Sequence, residues 1–136
     1  MTIPRYDDTI DSPLRTGENI LDRVHDLIGP ACRAQTWFLF VDDDDVQLPL
    51  LIPIDDVPED AAVDATGAAM ASLCDAAGAA AMIVVIESPG THELTDADRA
   101  WARVVRDAAL AVDVELRALL LSHDHGVRAL APDDLL

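Results

Sequence analysis

Ile83-Val84-Val85-Ile86-Glu87-Ser88-Pro89-Gly90-Thr91-His92-Glu93-Leu94-Thr95-Asp96-Ala97-Asp98 decides the fold of this chain. Its first residues continue an apolar run from Ala81 with no polar break, which predicts a central strand. Pro89-Gly90 makes a tight turn, and Thr95 caps a helix in which Asp98 takes the reciprocal place of an acidic capping box. Strand, turn and capped helix form the unit of an α/β domain, and such domains place their working groups where a central strand ends. The groups found there are the carboxylate of Glu87, the hydroxyl of Ser88 and Asp98 one turn into the helix. These three are the candidate binding residues.

Working outward, Ile20, Leu21, Val24, Leu27 and Ile28 recur at helical spacing between Glu18 and Ile28, and Gly29-Pro30 stops that helix. Thr36 to Val41 is continuously apolar and aromatic, a strand buried on both faces. Asp42 to Asp45 turns, and Val46 to Ile54 returns as a second strand. Pro49 and Pro53 put that strand at a sheet edge, because proline has no N–H for a ladder. A helix opened by Pro58-Glu59-Asp60 runs to Ala77, its small residues letting it lie close to the sheet, with Gly78 as its stop. After Thr95, the residues Trp101, Val104, Val105, Ala108 and Val112 form a buried stripe and Arg99, Arg103 and Arg106 stay in solvent. Val114 to Leu121 and Gly126 to Leu130 are the last strands. The expected order is α-β-β-α-β-α-β-β: an α/β three-layer sandwich with a mixed central sheet, spanning residues 17–136 as one domain behind a loose arm, residues 1–16.

Composition narrows the function classes. A chain of 136 residues that is 51% hydrophobic buries a core without metal or disulfide. No run approaches the roughly 18 apolar residues of a membrane span, and the N-terminus lacks the pattern of a signal peptide. Cys32 and Cys74 have no metal-type spacing and read as two free, buried thiols of a cytoplasmic protein. The formal net charge is −17, and all nine basic residues are arginine. A field of that sign repels phosphate backbones and anionic lipid, so neither nucleic acid nor a membrane is an expected partner.

Ser88 lacks the Gly-x-Ser-x-Gly setting of a nucleophile elbow, and the chain carries no Gly-rich phosphate loop. The Asp42–Asp45 run lacks the alternating ligands and glycine of a calcium loop and reads as a solvated hairpin tip. His123-Asp124-His125 is the better metal candidate, with His92 and Asp98 approaching from the neighbouring turn if two strand ends meet. Its alternative is an exposed polar loop. Glu87 has the chemistry of a general base, but no second acid or base is fixed beside it. Trp101, at helical spacing with Val104 and Val105, reads as core.

With those elements in place, the stretch from Pro13 to Leu130 resembles the JAB/MPN metalloprotease-like superfamily, in particular its bacterial RadC-like branch, which has a cytidine-deaminase-like architecture. Trp37-Phe-Leu-Phe-Val-Asp42 looks like the family's aromatic strand before a hairpin. Ala79 to Asp98 looks like its apolar strand, turn and Ser-x-x-Asp helix start, and Leu119 to Leu130 like its closing strand pair. The resemblance implies zinc held by a His-x-His and the Asp of Ser-x-x-Asp, with an upstream Glu as base. In this sequence Ile86 and Ser88 stand at the two histidines, Asp98 matches the Asp, Thr95 replaces the Ser, and Ala34 or Gln35 falls at the Glu. Without imidazoles the site loses its main zinc donors and activates no water. The resemblance therefore implies a degenerate member: a non-catalytic, cofactor-free binding or scaffold domain that associates with a protein partner or with itself. The alternatives are a divergent metal-dependent hydrolase using His92, Asp98, His123 and His125, and a small-molecule sensor with a pocket at Glu87–Gly90.

Overall fold

The computed structural model describes residues 13–54 and 62–136. Three helices and five strands follow one another as α1 (Gly17–Leu27), β1 (Gln35–Val41), β2 (Gln47–Ile54), α2 (Val63–Ala77), β3 (Ala81–Glu87), α3 (Asp96–Ala111), β4 (Glu115–His123) and β5 (Gly126–Ala129), with a 3-10 turn over Pro132–Leu135. The strands form one mixed sheet in the order β2-β1-β3-β4-β5. β1 runs antiparallel to both β2 and β3, β3 and β4 are parallel, and β4 and β5 are antiparallel. The fold is an α/β sandwich.

β3 is central because nothing in it asks for water: all seven of its residues are buried. Successive side chains point to opposite faces, so the run feeds two cores at once. Met82, Val84 and Ile86 join Phe38, Phe40 and Met70 under α2 and α3. Ile83 and Val85 join Leu39, Ile20 and Val24 under α1. Each such side chain taken from water contributes about 1.5–3 kcal/mol.

The edge position of β2 follows from its prolines. Pro53 stands opposite Trp37, and a proline, which has no N–H, is tolerated on a strand that has no neighbour on its other side. Leu14 is buried and its N–H donates to the Asp45 carbonyl at 2.7 Å, so the chain just before α1 is tied to the β1–β2 turn. Thr16 caps α1 in a full capping box with Asn19, a pairing the sequence reading passed over. In the β1–β2 turn Asp42 Oδ1 accepts the N–H groups of Asp44 and Val46 at 2.8 and 3.0 Å, while Asp45 is bonded to Arg117 on β4. The Asp run is therefore a hairpin tip held by its own side chains.

Several boundaries and environments differ from expectation. The helix opening placed at Pro58-Glu59-Asp60 lies outside the described residues. Gly67 on α2 serves an approach to α3 rather than to the sheet: a Cβ there would meet the Ala108 carbonyl oxygen and a Val112 methyl, both at 3.1 Å. The buried stripe of α3 is Ala102, Val105, Ala108 and Ala109, with Trp101, Val104 and Val112 only half-buried. Arg99 and Arg103 are not simply solvated, since their Nε groups donate to the carbonyls of Asp134 and Leu135. Leu135 itself is buried, so the last residues are strapped onto α3. Cys74 is buried, which raises its thiol pKa, but Cys32 is exposed, contrary to the expectation of two buried thiols. Among the described residues no helix is long and apolar enough to cross a membrane.

Candidate functional site

Because β3 and β4 are parallel neighbours, their C-terminal ends lie side by side, with Glu87 opposite Ser122. Three loops are stitched together there. Ser88 N–H donates to the Ser122 carbonyl at 2.9 Å, and Ala31 N–H donates to the His123 carbonyl at 2.8 Å. The Ser122 hydroxyl donates to the Gly29 carbonyl at 2.7 Å, which brings in the chain leaving α1. Gly90 and Asp124 exchange two bonds: Gly90 N–H to Asp124 Oδ1 at 2.9 Å, and Asp124 N–H to the Gly90 carbonyl at 3.0 Å. Gly90 has φ +143°, a region that side-chain-bearing residues rarely adopt, so this turn needs glycine.

Glu87 is buried on the α1 side, and its two oxygens accept four hydrogen bonds. Oε2 takes the backbone N–H groups of Cys32 and Arg33 at 2.7 and 3.0 Å. Oε1 takes the side-chain N–H groups of Gln35 and Trp37, each at 2.8 Å. Burial alone would raise its pKa, but the donors from Trp37, Cys32, Arg33 and Gln35 outweigh burial and hold the carboxyl below the usual range. A carboxylate so engaged is a weak base. Its chemistry here is to fix the 32–35 loop against the end of β3. Sequence reading missed its four partners because they lie 50 to 55 residues away, and only the β1–β3 register brings them in.

On the opposite face, Ser88 and Asp98 meet directly. The Ser88 hydroxyl donates to Asp98 Oδ2 at 2.7 Å. Thr95 does cap α3, its Oγ1 accepting Asp98 N–H at 3.1 Å, but the Asp98 carboxylate turns to Ser88 instead of closing the expected capping box. One turn along α3, Trp101 Nε1 donates to Thr36 Oγ1 at 2.9 Å, and Thr36 stands opposite Ile86 in the β1–β3 ladder. Ile86, Thr36, Trp101, Ser88 and Asp98 thus fill the space between the strand end and the helix start with apolar contact and paired hydroxyls.

The histidines gather only in part. His92 and His123 face each other edge-on with ring centroids 6.4 Å apart. His123 Nδ1 accepts the backbone N–H of His125 at 3.2 Å, which leaves the proton of the neutral ring on Nε2. Burial, followed by the neighbouring His92, His125 and Arg128, lowers the His123 pKa, with Asp124 opposing. A ring bound to a metal through Nε2 carries its proton on Nδ1, where it would meet the His125 N–H. Asp98 is already engaged by Ser88. Among the described residues no three His, Cys, Asp or Glu side chains are placed to hold one ion, the alternative set of His92, Asp98, His123 and His125 included.

An open hollow of about 350 Å³ lies beside this region, lined by Glu93, Leu94, Arg99, Arg128 and Asp134. Its lining does not include the Glu87–Gly90 turn, where the alternative sensor reading put a pocket, and charged groups rather than apolar ones dominate it. Arg128 links the two parts, its Nε donating to the His92 carbonyl at 2.6 Å.

No protein-family model matches this chain. No curated protein matches it either.

Proposed function

We propose that this chain is a non-catalytic, cytoplasmic protein-binding domain with the architecture of the JAB/MPN-like superfamily, in which the position of the zinc centre is taken by a core isoleucine and a part-buried serine–aspartate pair. The observation that carries this reading is the 2.7 Å bond between Ser88 and Asp98. Those are two of the positions that the resemblance assigns to metal ligands. The third, Ile86, is 3% exposed and packed in the core under α2 and α3. The position assigned to the general base falls at Ala34 or Gln35, and Gln35 spends its amide on Glu87. A hydroxyl–carboxylate pair and an isoleucine satisfy each other where a cation would need anionic and imidazole donors. The mixed five-stranded sheet with helices on both faces is compatible with the same family. Val46 to Ile54 is uncharged and Leu50 on it is 37% exposed, which makes β2 the contact surface of this reading. Pro49 and Pro53 deny that edge two donors, so a partner packs on its side chains rather than extending its ladder.

Metal content tests the reading. After chelation and zinc re-addition, the wild-type protein should hold close to no zinc. The Ile86→His/Ser88→His variant should acquire about one zinc per chain, lost again with Asp98→Asn. Tight zinc in the wild type that disappears with His123→Ala would replace this reading with the metal-dependent hydrolase. A folded double variant that stays metal-free would break the link to the JAB/MPN-like site.

A further inference from the structure

Three of the nine arginines converge on the last residues of a chain whose net charge is −17. Arg99 Nε donates to the Asp134 carbonyl at 3.1 Å, Arg103 to the Leu135 carbonyl, and Arg128 Nη1 to Asp134 Oδ2 at 3.2 Å. Asp134 Oδ2 also accepts Ala131 N–H at 2.7 Å, which fixes the 3-10 turn. Arg99 and Arg128 are both half-buried, their side chains 32% and 28% exposed, and both line the open hollow. Their bonds use Nε and Nη1, so Nη2 of each guanidinium has no acceptor among the described residues. The carboxylate of Glu93, which also lines the hollow, has no bonded partner among them.

We infer that this hollow is a binding site for a small zwitterion, of the class of free α-amino acids with a short side chain. Two guanidiniums in the lining suit a carboxylate, which arginine binds with paired, directional N–H donors. Glu93 suits an ammonium group. Leu94, 8% exposed, is the apolar lining residue and suits a short aliphatic side chain. Charge selects against simpler ions. A plain anion meets Glu93, Asp134 and the field of the whole protein, while a plain cation meets Arg99 and Arg128. A net-neutral molecule with both charges escapes each penalty. The volume of about 350 Å³ lies at the small end of ligand pockets, which run from roughly 300 to 1,000 Å³. The donors are held in advance, because Asp134 and the His92 carbonyl already fix both arginines, so binding orders few side chains. This site is separate from the Ser88–Asp98 pair, and the inference stands whichever way the zinc experiment falls.

A titration of the full chain followed by backbone amide NMR tests it, with L-alanine, acetate, methylammonium and inorganic phosphate as probes. L-alanine should shift the amides of Glu93, Leu94, Arg99 and Arg128 saturably, and acetate and methylammonium should bind at least about tenfold more weakly. Glu93→Gln should weaken L-alanine by about tenfold and leave acetate no weaker, a split that loss of folding cannot produce. Arg128→Gln should weaken both. Acetate or phosphate binding as well as L-alanine would make this a plain anion site and overturn the inference. So would L-alanine shifts that do not saturate, or that fall elsewhere in the chain.

Discussion

The indole N–H of Trp37 reaches Oε1 of Glu87 at 2.8 Å diagonally across β1 and β3, two residues beyond the direct partner, Gln35. One carboxylate thereby closes the start of β1, the end of β3 and the 32–35 loop into a single unit. Glu87→Gln keeps the shape but brings an NH2 group against N–H donors and removes the charge they share. We expect a loss of about 2–4 kcal/mol, since bonds to a charged acceptor contribute about 1.5–3 kcal/mol each and donors left buried cost about 1–3. Urea unfolding followed by tryptophan fluorescence measures it; a change below about 0.5 kcal/mol would show that Glu87 does not hold the loop.

The same carboxylate sets part of the acid limb. Its folded pKa lies below the value of about 4.3 for an unfolded glutamate, so the stabilisation is complete above that pH and is lost as pH falls through the folded pKa. Wild-type stability should therefore drop steeply below about pH 4, and Glu87→Gln should show a shallower slope there. Equal slopes for the two proteins would rule out Glu87 as a source of the acid sensitivity.

His123 acts in a higher range. Its folded pKa is lowered, so the unfolded chain binds the extra proton first, and stability declines as pH falls from about 6.5 toward the folded pKa. Protonation also places a proton on Nδ1 against the His125 N–H. His92→Asn removes a neighbouring imidazole and should raise the His123 titration midpoint. Imidazole resonances followed against pH would show this directly, and an unmoved midpoint would mean that His92 does not act on His123.

Gly67→Ala should gain about 0.8–1 kcal/mol in helix propensity and still lose stability overall. The new methyl meets a helix carbonyl of α3 at 3.1 Å, and backbone cannot step aside as a side-chain tip can. Gly67→Leu should cost more, about 1–3 kcal/mol, by forcing α2 and α3 apart. Thermal unfolding of the two variants, expected in the order glycine, alanine, leucine from most to least stable, checks it. A more stable alanine variant would show that the helices are not in limiting contact.

Local chemistry made most of the fold legible. The unbroken apolar run of β3, the stops at Gly29 and Gly78, the Thr95 cap and the prolines of β2 each act within a few residues, where periodicity and turn geometry speak directly. The strap at Pro132–Leu135 was not legible, because it is held by Arg99 and Arg103 on α3 and by Arg128 on β5, whose alternative partner was water.

The candidate site divides along the same line. The sequence by itself determined which groups stand at the end of β3 and that positions 86 and 88 carry isoleucine and serine rather than imidazoles. Only the tertiary structure decided what those groups do. Glu87 became a saturated anchor because the antiparallel register of β1 aims Gln35 and Trp37 at it from the α1 face. Ser88 and Asp98 were bound to each other by the packing of α3 against the end of β3. A side chain's reactivity depends on which donors and acceptors lie within about 3 Å of it, and over separations of tens of residues only the packed chain sets those distances.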